Sequence, residues 1–218
     1  MTISDSGYID IDTFYADWSD ITLLQQRRQN TIYTAKRYGK RYLLKAISPE
    51  YQSLTDIRLL QYKEFSLGIT LNHANIAETY SLEEVPQLGR CILMEYVDGM
   101  TLAEWIQSSP SRAQRERVLA QLLEVMEYIH SLQLVHNDLK SSNILITRNG
   151  QNVKLIDFGL SDTDSTSDNN NSNTDIQLLA NVLTLLFPNR YRPIARACQL
   201  GKYANIAALK QAFRHRQI

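Results

Sequence analysis

The run His136-Asn137-Asp138-Leu139-Lys140-Ser141-Ser142-Asn143, followed by Asp157-Phe158-Gly159, constrains this chain more than any other feature. It sets one carboxylate and one carboxamide five positions apart on a short, tight loop. A second carboxylate stands at the end of the strand-like run Val153-Lys154-Leu155-Ile156. Between the two lie the apolar run Ile144-Leu145-Ile146 and a turn at Asn149-Gly150. All three polar groups offer oxygen. One carboxylate can hold an acceptor hydroxyl, while the amide and the other carboxylate can hold magnesium, and phosphoryl transfer from ATP needs such a set.

The bulk properties narrow the setting. A chain of 218 residues suits one domain or two small lobes. Apolar residues make up 44% and charged ones 21%, as in a soluble globular protein. Lys plus Arg and Asp plus Glu cancel at 23 each, so no net field draws nucleic acid or an anionic membrane. The opening Met1-Thr2-Ile3-Ser4-Asp5 lacks a signal-peptide pattern, and no apolar run reaches membrane-spanning length. The expected location is the cytoplasm; delivery by a specialised secretion route would leave no mark in such a sequence. Cys91 and Cys198 are too few for a disulfide scaffold and are expected as buried thiols.

Along the chain, residues 1–20 form a polar and aromatic lead-in. Strand patterns follow at Ile21–Leu24, Thr31–Ala35 and Arg41–Ile47, the last two joined by a turn at Tyr38-Gly39-Lys40. Leu54 to Leu71 reads as a helix with Ile57, Leu60, Leu67 and Leu71 on its apolar side. Strands resume near Ile76–Tyr80 and Arg90–Val97, and Asp98-Gly99 breaks the chain. Helices are predicted at Thr101–Gln107 and Ala113–Leu132, the second with Leu119, Leu122, Leu123, Met126 and Ile129 as a core stripe. Ser161 to Thr174 carries no apolar side chain and cannot build a core. An apolar helix begins at Asp175, and residues 193–213 look like small closing helices.

These runs resemble the H-R-D-L-x-x-x-N and D-F-G signatures of protein kinases, with Asn137 in place of the usual Arg. The resemblance covers roughly Ile21 to the C-terminus. It implies an α+β, two-lobed kinase-like fold: lead-in 1–20, a β-rich N-lobe over 21–97, and a shortened helical C-lobe over 98–218. Lys45 stands where the family's V-A-I-K lysine stands and would meet the α- and β-phosphates. Read alone it is a solvated strand-end lysine. Glu64, on the next helix before His73-Ala74-Asn75-Ile76, is placed to hold it. Met94-Glu95-Tyr96-Val97 resembles the hinge, with backbone groups of Glu95 and Val97 for the adenine edge and Met94 guarding the rear pocket; a ligand-free buried strand is the other reading. The resemblance further implies Ile32 and Leu43 above the adenine and Leu145 among the nucleotide-binding residues. Asp138 would orient the acceptor hydroxyl, Lys140 would neutralise the γ-phosphate, and Asn143 and Asp157 would ligate magnesium. His136 and Phe158 are expected to be structural. Asp175 either accepts bonds from the catalytic-loop backbone or simply caps a helix.

Three departures stand out. Gln25, Arg27 and Asn30 fill the glycine positions of the phosphate-covering loop. Left-handed backbone there would cost of order 1 kcal/mol or more per residue, so weak nucleotide binding is expected unless Arg27 and Arg28 supply charge instead. Leu43 replaces a small residue and should lower the pocket roof. Asp157 and Asp175 lie only 18 positions apart, with no A-P-E sequence and no room for a peptide-docking platform. Asn137 cannot pair with a phosphate, so activity should not depend on modification of Ser165, Thr166 or Ser167. The expected function is ATP- and magnesium-dependent transfer to Ser/Thr hydroxyls of a protein substrate, with no nucleic-acid or membrane partner. The alternatives are a pseudokinase binding module and a small-molecule kinase on the same fold.

Overall fold

The computed structural model describes residues 18–148, 152–159, 162–163 and 171–214. The lead-in to residue 17, the expected turn at Asn149-Gly150 and residues 161 and 164–170 of the polar run lie outside the described residues. The described chain divides into two compact units, 18–65 with 78–96, and 66–77 with 97–214.

The first unit is built on one antiparallel sheet. Its strands are β1 (Ser19–Gln26), β2 (Asn30–Arg37), β3 (Lys40–Ile47), β4 (Thr79–Val85) and β5 (Gly89–Glu95), in the order β1-β2-β3-β5-β4. The β2–β3 turn is only Tyr38-Gly39, both left-handed at φ 51° and 74°, which is the two-residue hairpin that matches strand twist. Alternation then sorts the side chains. Ala35, Leu44, Ala46, Cys91 and Leu93 form a buried cluster on one face, flanked by Tyr33, Tyr42 and Tyr80. The register puts Ile32, Lys45 and Ile92 side by side on the opposite face, and Thr34, Leu43 and Met94 next to them.

Helix α1 (Thr55–Gly68) corrects the predicted apolar stripe. It ends three residues before Leu71, and Leu60 is 52% exposed, with Leu59 and Tyr62 also outward. The buried positions of this helix in the first unit are polar: Gln61 and Glu64. Gln61 Nε2 donates to the Arg90 carbonyl at 3.0 Å and Glu64 pairs with Lys45. Polar groups that find partners can be buried, and Gln61 and Glu64 turn inward here while Leu60, predicted on the apolar side, turns outward.

The second unit comprises β6 (Gly99–Thr101), α2 (Leu102–Gln107), α3 (Arg112–Ser131), β7 (Leu134–Val135), β8 (Ile144–Thr147), β9 (Val153–Leu155), β10 (Asp162–Thr163), α4 (Asn171–Leu186), α5 (Arg192–Gln199) and α6 (Ile206–Arg214). β6, β8 and β9 form a three-stranded sheet, and β10 pairs with β7. Capping boxes start α2 (Thr101 with Glu104) and α3 (Ser111 with Gln114) by satisfying otherwise unpaired backbone donors. The predicted stripe of α3 is buried throughout and packs in one core with Ile144, Ile146, Leu155, Ile176 and Leu179. Asp98-Gly99 is not simply a break, because Gly99 opens β6. A Cβ on Gly99 would lie 2.3 Å from the Ile146 carbonyl oxygen, so only glycine allows that approach. Ile76-Ala77, expected in a strand, precede β4; Ile76 instead makes a single parallel bridge to Leu155.

Candidate active site

In the first unit, the predicted nucleotide residues share one sheet face. Ile32, Leu43, Lys45 and Met94 lie opposite the buried tyrosine-flanked cluster, as the register dictates. Lys45 Nζ donates to Glu64 Oε1 at 2.5 Å, with the two side chains only 7% and 9% exposed. The pair therefore forms away from bulk water, where charge attraction is least screened. At the predicted hinge, the Glu95 N–H donates to the Glu78 carbonyl at 2.8 Å. Leu43 is half-buried and opposes Thr34 and Met94 in the sheet.

The glycine-free connection behaves differently from expectation. No residue from 25 to 30 has a left-handed backbone, so the anticipated conformational cost does not arise. β1 and β2 are joined instead by a plain three-residue connection, Arg27 to Gln29, closed by the Arg27 N–H on the Asn30 carbonyl at 2.9 Å. Ser48 braces it, donating its N–H to the Gln29 carbonyl at 2.9 Å and its hydroxyl to the Arg27 carbonyl at 3.3 Å. Neither Ser48 nor the brace leaves a local signal, because the partners are about twenty residues apart in sequence.

In the second unit, the predicted catalytic groups converge on Asp138. Asp138 Oδ2 accepts from Lys140 Nζ at 2.6 Å and from Asn143 Nδ2 at 2.8 Å. Asn143 Nδ2 also donates to the Asp138 carbonyl at 3.0 Å. Asn143 is fully buried at the end of a short 3-10 turn, Ser141–Asn143, and its Oδ1 has no hydrogen-bond partner among the described residues. The Ile156 N–H donates to the Asn143 carbonyl at 3.0 Å, which ties this turn to the segment that leads into Asp157. Asp157 is partly exposed and left-handed at φ 67°. Leu145, on β8, is the half-exposed residue between buried Ile144 and Ile146, so it faces away from the core.

His136 is structural, as expected. Its Nδ1 accepts from the Asp138 N–H at 3.2 Å, so its Nε2 carries the proton and donates to the Ile156 carbonyl at 3.2 Å. Burial, opposed by the Asp175 charge, pushes its pKa below the usual 6.5, in keeping with this neutral ring. Phe158 packs on it at 4.8 Å between ring centroids.

Asp175 is buried inside α4, not at its start, since the helix begins at Asn171. The helix-cap alternative therefore fails. Its Oδ2 accepts from the His136 N–H and its Oδ1 from the Asn137 N–H, both at 2.9 Å. Sequence reasoning missed two parts of this arrangement. His130 Nε2 meets the same Asp175 Oδ2 at 2.9 Å, from the last turn of α3. Asn137 is left-handed at φ 61°, a conformation that Asn tolerates better than Arg, so the unusual residue suits the loop's shape.

Two carboxylates, a buried amide oxygen without a partner and a lysine make an all-oxygen set with one cation. Among the described residues no cluster of three or more His, Cys, Asp or Glu could hold a metal. The orphaned Asn143 Oδ1 and the Asp157 carboxylate fit magnesium, which takes one or two protein oxygens and completes its shell with water and phosphate.

The comparisons with known proteins agree in class. Residues 29–181 match the family model for the protein kinase domain, more than half of the chain. The chain belongs to the protein kinase family, whose fold is α+β and whose members generally use ATP and magnesium. It is similar to the serine/threonine-protein kinase PrkC of Bacillus subtilis, 37% identical over 100 residues, which are 45% of this chain and 15% of that protein. It is also similar to the serine/threonine-protein kinase ppk25 of Schizosaccharomyces pombe, 36% identical over 135 residues, covering 60% of this chain and 31% of that protein. The serine/threonine-protein kinase Nek6 of Oryza sativa is 34% identical over 125 residues, 56% of this chain and 23% of its own length. The chain thus spans less than a third of each of these relatives. Among the described residues no helix is long and apolar enough to cross a membrane.

Proposed function

We propose that this chain transfers the γ-phosphoryl group of ATP to Ser or Thr hydroxyls of a protein substrate. The observation that carries the reading is the state of Asp138 and Asn143. Lys140 and Asn143 both bind Asp138 Oδ2, and no hydrogen bond to Oδ1 is found among the described residues, which leaves that oxygen for an acceptor hydroxyl. A carboxylate so placed orients the hydroxyl and takes its proton late in the transfer. Lys140, half-exposed and beside Asp138, would offset charge on the moving phosphoryl group. Lys45, held by Glu64, would bind the α- and β-phosphates, and Ile32, Leu43, Met94, Glu95, Val97 and Leu145 would receive the adenosine. Asn143 and Asp157 would hold magnesium, which when bound neutralises phosphate charge. The same proposal assigns nucleotide holding mainly to residues 21–97 and catalysis to 98–218, with the cytoplasm as the place of action.

The test is transfer from labelled ATP to generic acceptor proteins in magnesium. Asp157→Asn should remove most metal-dependent transfer, and Asp138→Ala should lower turnover about 10²–10⁴-fold while sparing nucleotide binding. Full activity of Asp157→Asn would refute the assignment. ATP binding without transfer by the unaltered protein would make it a binding module instead, and turnover with small alcohols alone would make it a small-molecule kinase.

A further inference from the structure

The first unit holds a surface cleft of about 180 Å³ that none of the proposed nucleotide residues lines. It forms where the end of β3, the first two turns of α1 and the β4–β5 turn come together. Ile47, Gln52, Arg58, Gln61, Glu84 and Arg90 belong to its lining, and all of them lie in that one compact unit.

Two glutamines set its hydrogen bonding. Gln61 is only 6% exposed, and its Nε2 donates to the Arg90 carbonyl at 3.0 Å and lies 3.5 Å from the Lys45 carbonyl. Gln52 Nε2 donates to the Ile47 carbonyl at 3.2 Å and to the Leu88 carbonyl at 3.0 Å, so it ties the end of β3 to the β4–β5 turn. A carbonyl can only accept, so these bonds fix which way each amide is turned. Each Oε1 is then left without a hydrogen-bond partner among the described residues. An acceptor fixed in a cleft and left unpartnered calls for a donor from outside.

The charge of the lining is as particular. Arg90 Nε pairs with Glu84 Oε1 at 3.1 Å, so those two charges offset each other. Arg58 is exposed, and its guanidinium meets no acceptor among the described residues. Two arginines and one glutamate leave the lining with a single positive charge. One carboxylate balances it, whereas a phosphate monoester brings about two negative charges. The planar fork of a guanidinium also matches a carboxylate in shape.

We propose that this cleft binds the C-terminal end of a peptide chain, with its carboxylate on Arg58 and its last backbone N–H groups on Oε1 of Gln52 and Gln61. A peptide end carries both parts, one anion with N–H donors within a residue or two of it. Gln52 and Arg58 are exposed, so the rest of the peptide can run out toward solvent. Ile47, 3% exposed, supplies an apolar part of the lining for the terminal side chain. The proposal stands apart from nucleotide binding and does not depend on it.

The experiment is titration of the isotope-labelled protein, followed by its amide NMR signals, with N-acetyl-trialanine, the C-terminal amide of that peptide, and acetate. The free-acid peptide should saturate, with shifts gathered on residues 47–61 and 84–90 and on the side-chain amides of Gln52 and Gln61. The amide should bind about tenfold or more weakly, the worth of one charge-assisted contact. Arg58→Ala, a change at an exposed site, should weaken the acid by the same factor and leave the amide's affinity where it was, since the partner it removes is the carboxylate's. Acetate has the carboxylate of an acidic side chain and no N–H, so it should bind less tightly than the acid. An amide as tight as the acid, an Arg58→Ala variant that binds the acid unchanged, acetate as tight as the peptide, or no saturable shift at those residues each overturns the proposal.

Discussion

Replacing Glu64 by Gln should destabilise the first unit by about 3 kcal/mol. The substitution keeps the side chain's size but removes the carboxylate 2.5 Å from the Lys45 ammonium, in a pair whose side chains are 7% and 9% exposed. Breaking a buried pair from one side costs about 3–5 kcal/mol, whereas exposed pairs are worth about 0–1 kcal/mol. The low end applies because Gln still offers Lys45 a neutral acceptor. The chain supplies its own reporter. Of its two tryptophans, Trp18 lies in the first unit, edge-on to Tyr42 at 5.8 Å, and Trp105 is buried in the second. In a Trp105→Phe background, Trp18 fluorescence should follow the first unit in urea. With a slope of about 1–3 kcal/mol per molar, the midpoint should fall by about 1–3 M. The double variant Lys45→Met/Glu64→Leu should recover most of the loss, since replacing both partners leaves no buried charge. A single-variant cost under about 1 kcal/mol, or a double variant no better than the single one, would refute the reasoning.

Two further outcomes are expected. Asn137→Val should cost about 1–2 kcal/mol in thermal unfolding, because a β-branched residue cannot adopt φ 61° without strain, while Asn137→Gly should be nearly neutral. Burial lowers the His136 pKa from 6.5, so the unfolded chain binds its proton more readily; the stabilisation is complete above about pH 6.5 and is lost as pH falls through the folded value. Burial lowers the His73 pKa as well, so it contributes in the same direction. Urea midpoints between pH 7 and 5 should therefore decline, by at most about 1.4 kcal/mol per pH unit per proton, and His136→Gln should flatten the slope.

What the sequence revealed of the site, it revealed through residue chemistry at fixed spacing. Asp138, Lys140, Asn143 and Asp157 could be picked out because each bears a particular functional group, and three of the four are joined by the bonds that Asp138 Oδ2 accepts from Lys140 and Asn143. α1 was harder, because periodicity weighs only hydrophobicity. It put Leu60 in the core, where the structure leaves it 52% exposed, and only the family resemblance, not periodicity, pointed to Glu64 as the partner of Lys45. His130 stayed hidden for a related reason, since its partner Asp175 is 45 residues away and a histidine at the end of a helix is unremarkable by itself. At the β1–β2 connection the error was one of analogy. Glycine positions were expected to demand glycine-like backbone, but a hairpin closed by Asn30 and braced by Ser48 needs none.

The order of strands in the first sheet has a consequence for synthesis. β1, β2 and β3 are consecutive in the chain and can pair as soon as residue 47 is made, and a hairpin takes about 1–10 μs to form. β5, which covers the other edge of β3, does not begin until Gly89. At about 5–20 residues per second a ribosome needs roughly 2–8 s to supply it. For that long β3 is an open edge with Leu44 and Ala46 beside it, ready to pair with any other nascent strand. The run from Arg27 to Lys45 holds seven Lys and Arg and no Asp or Glu, so two such nascent meanders on neighbouring ribosomes carry like charge, which opposes their pairing.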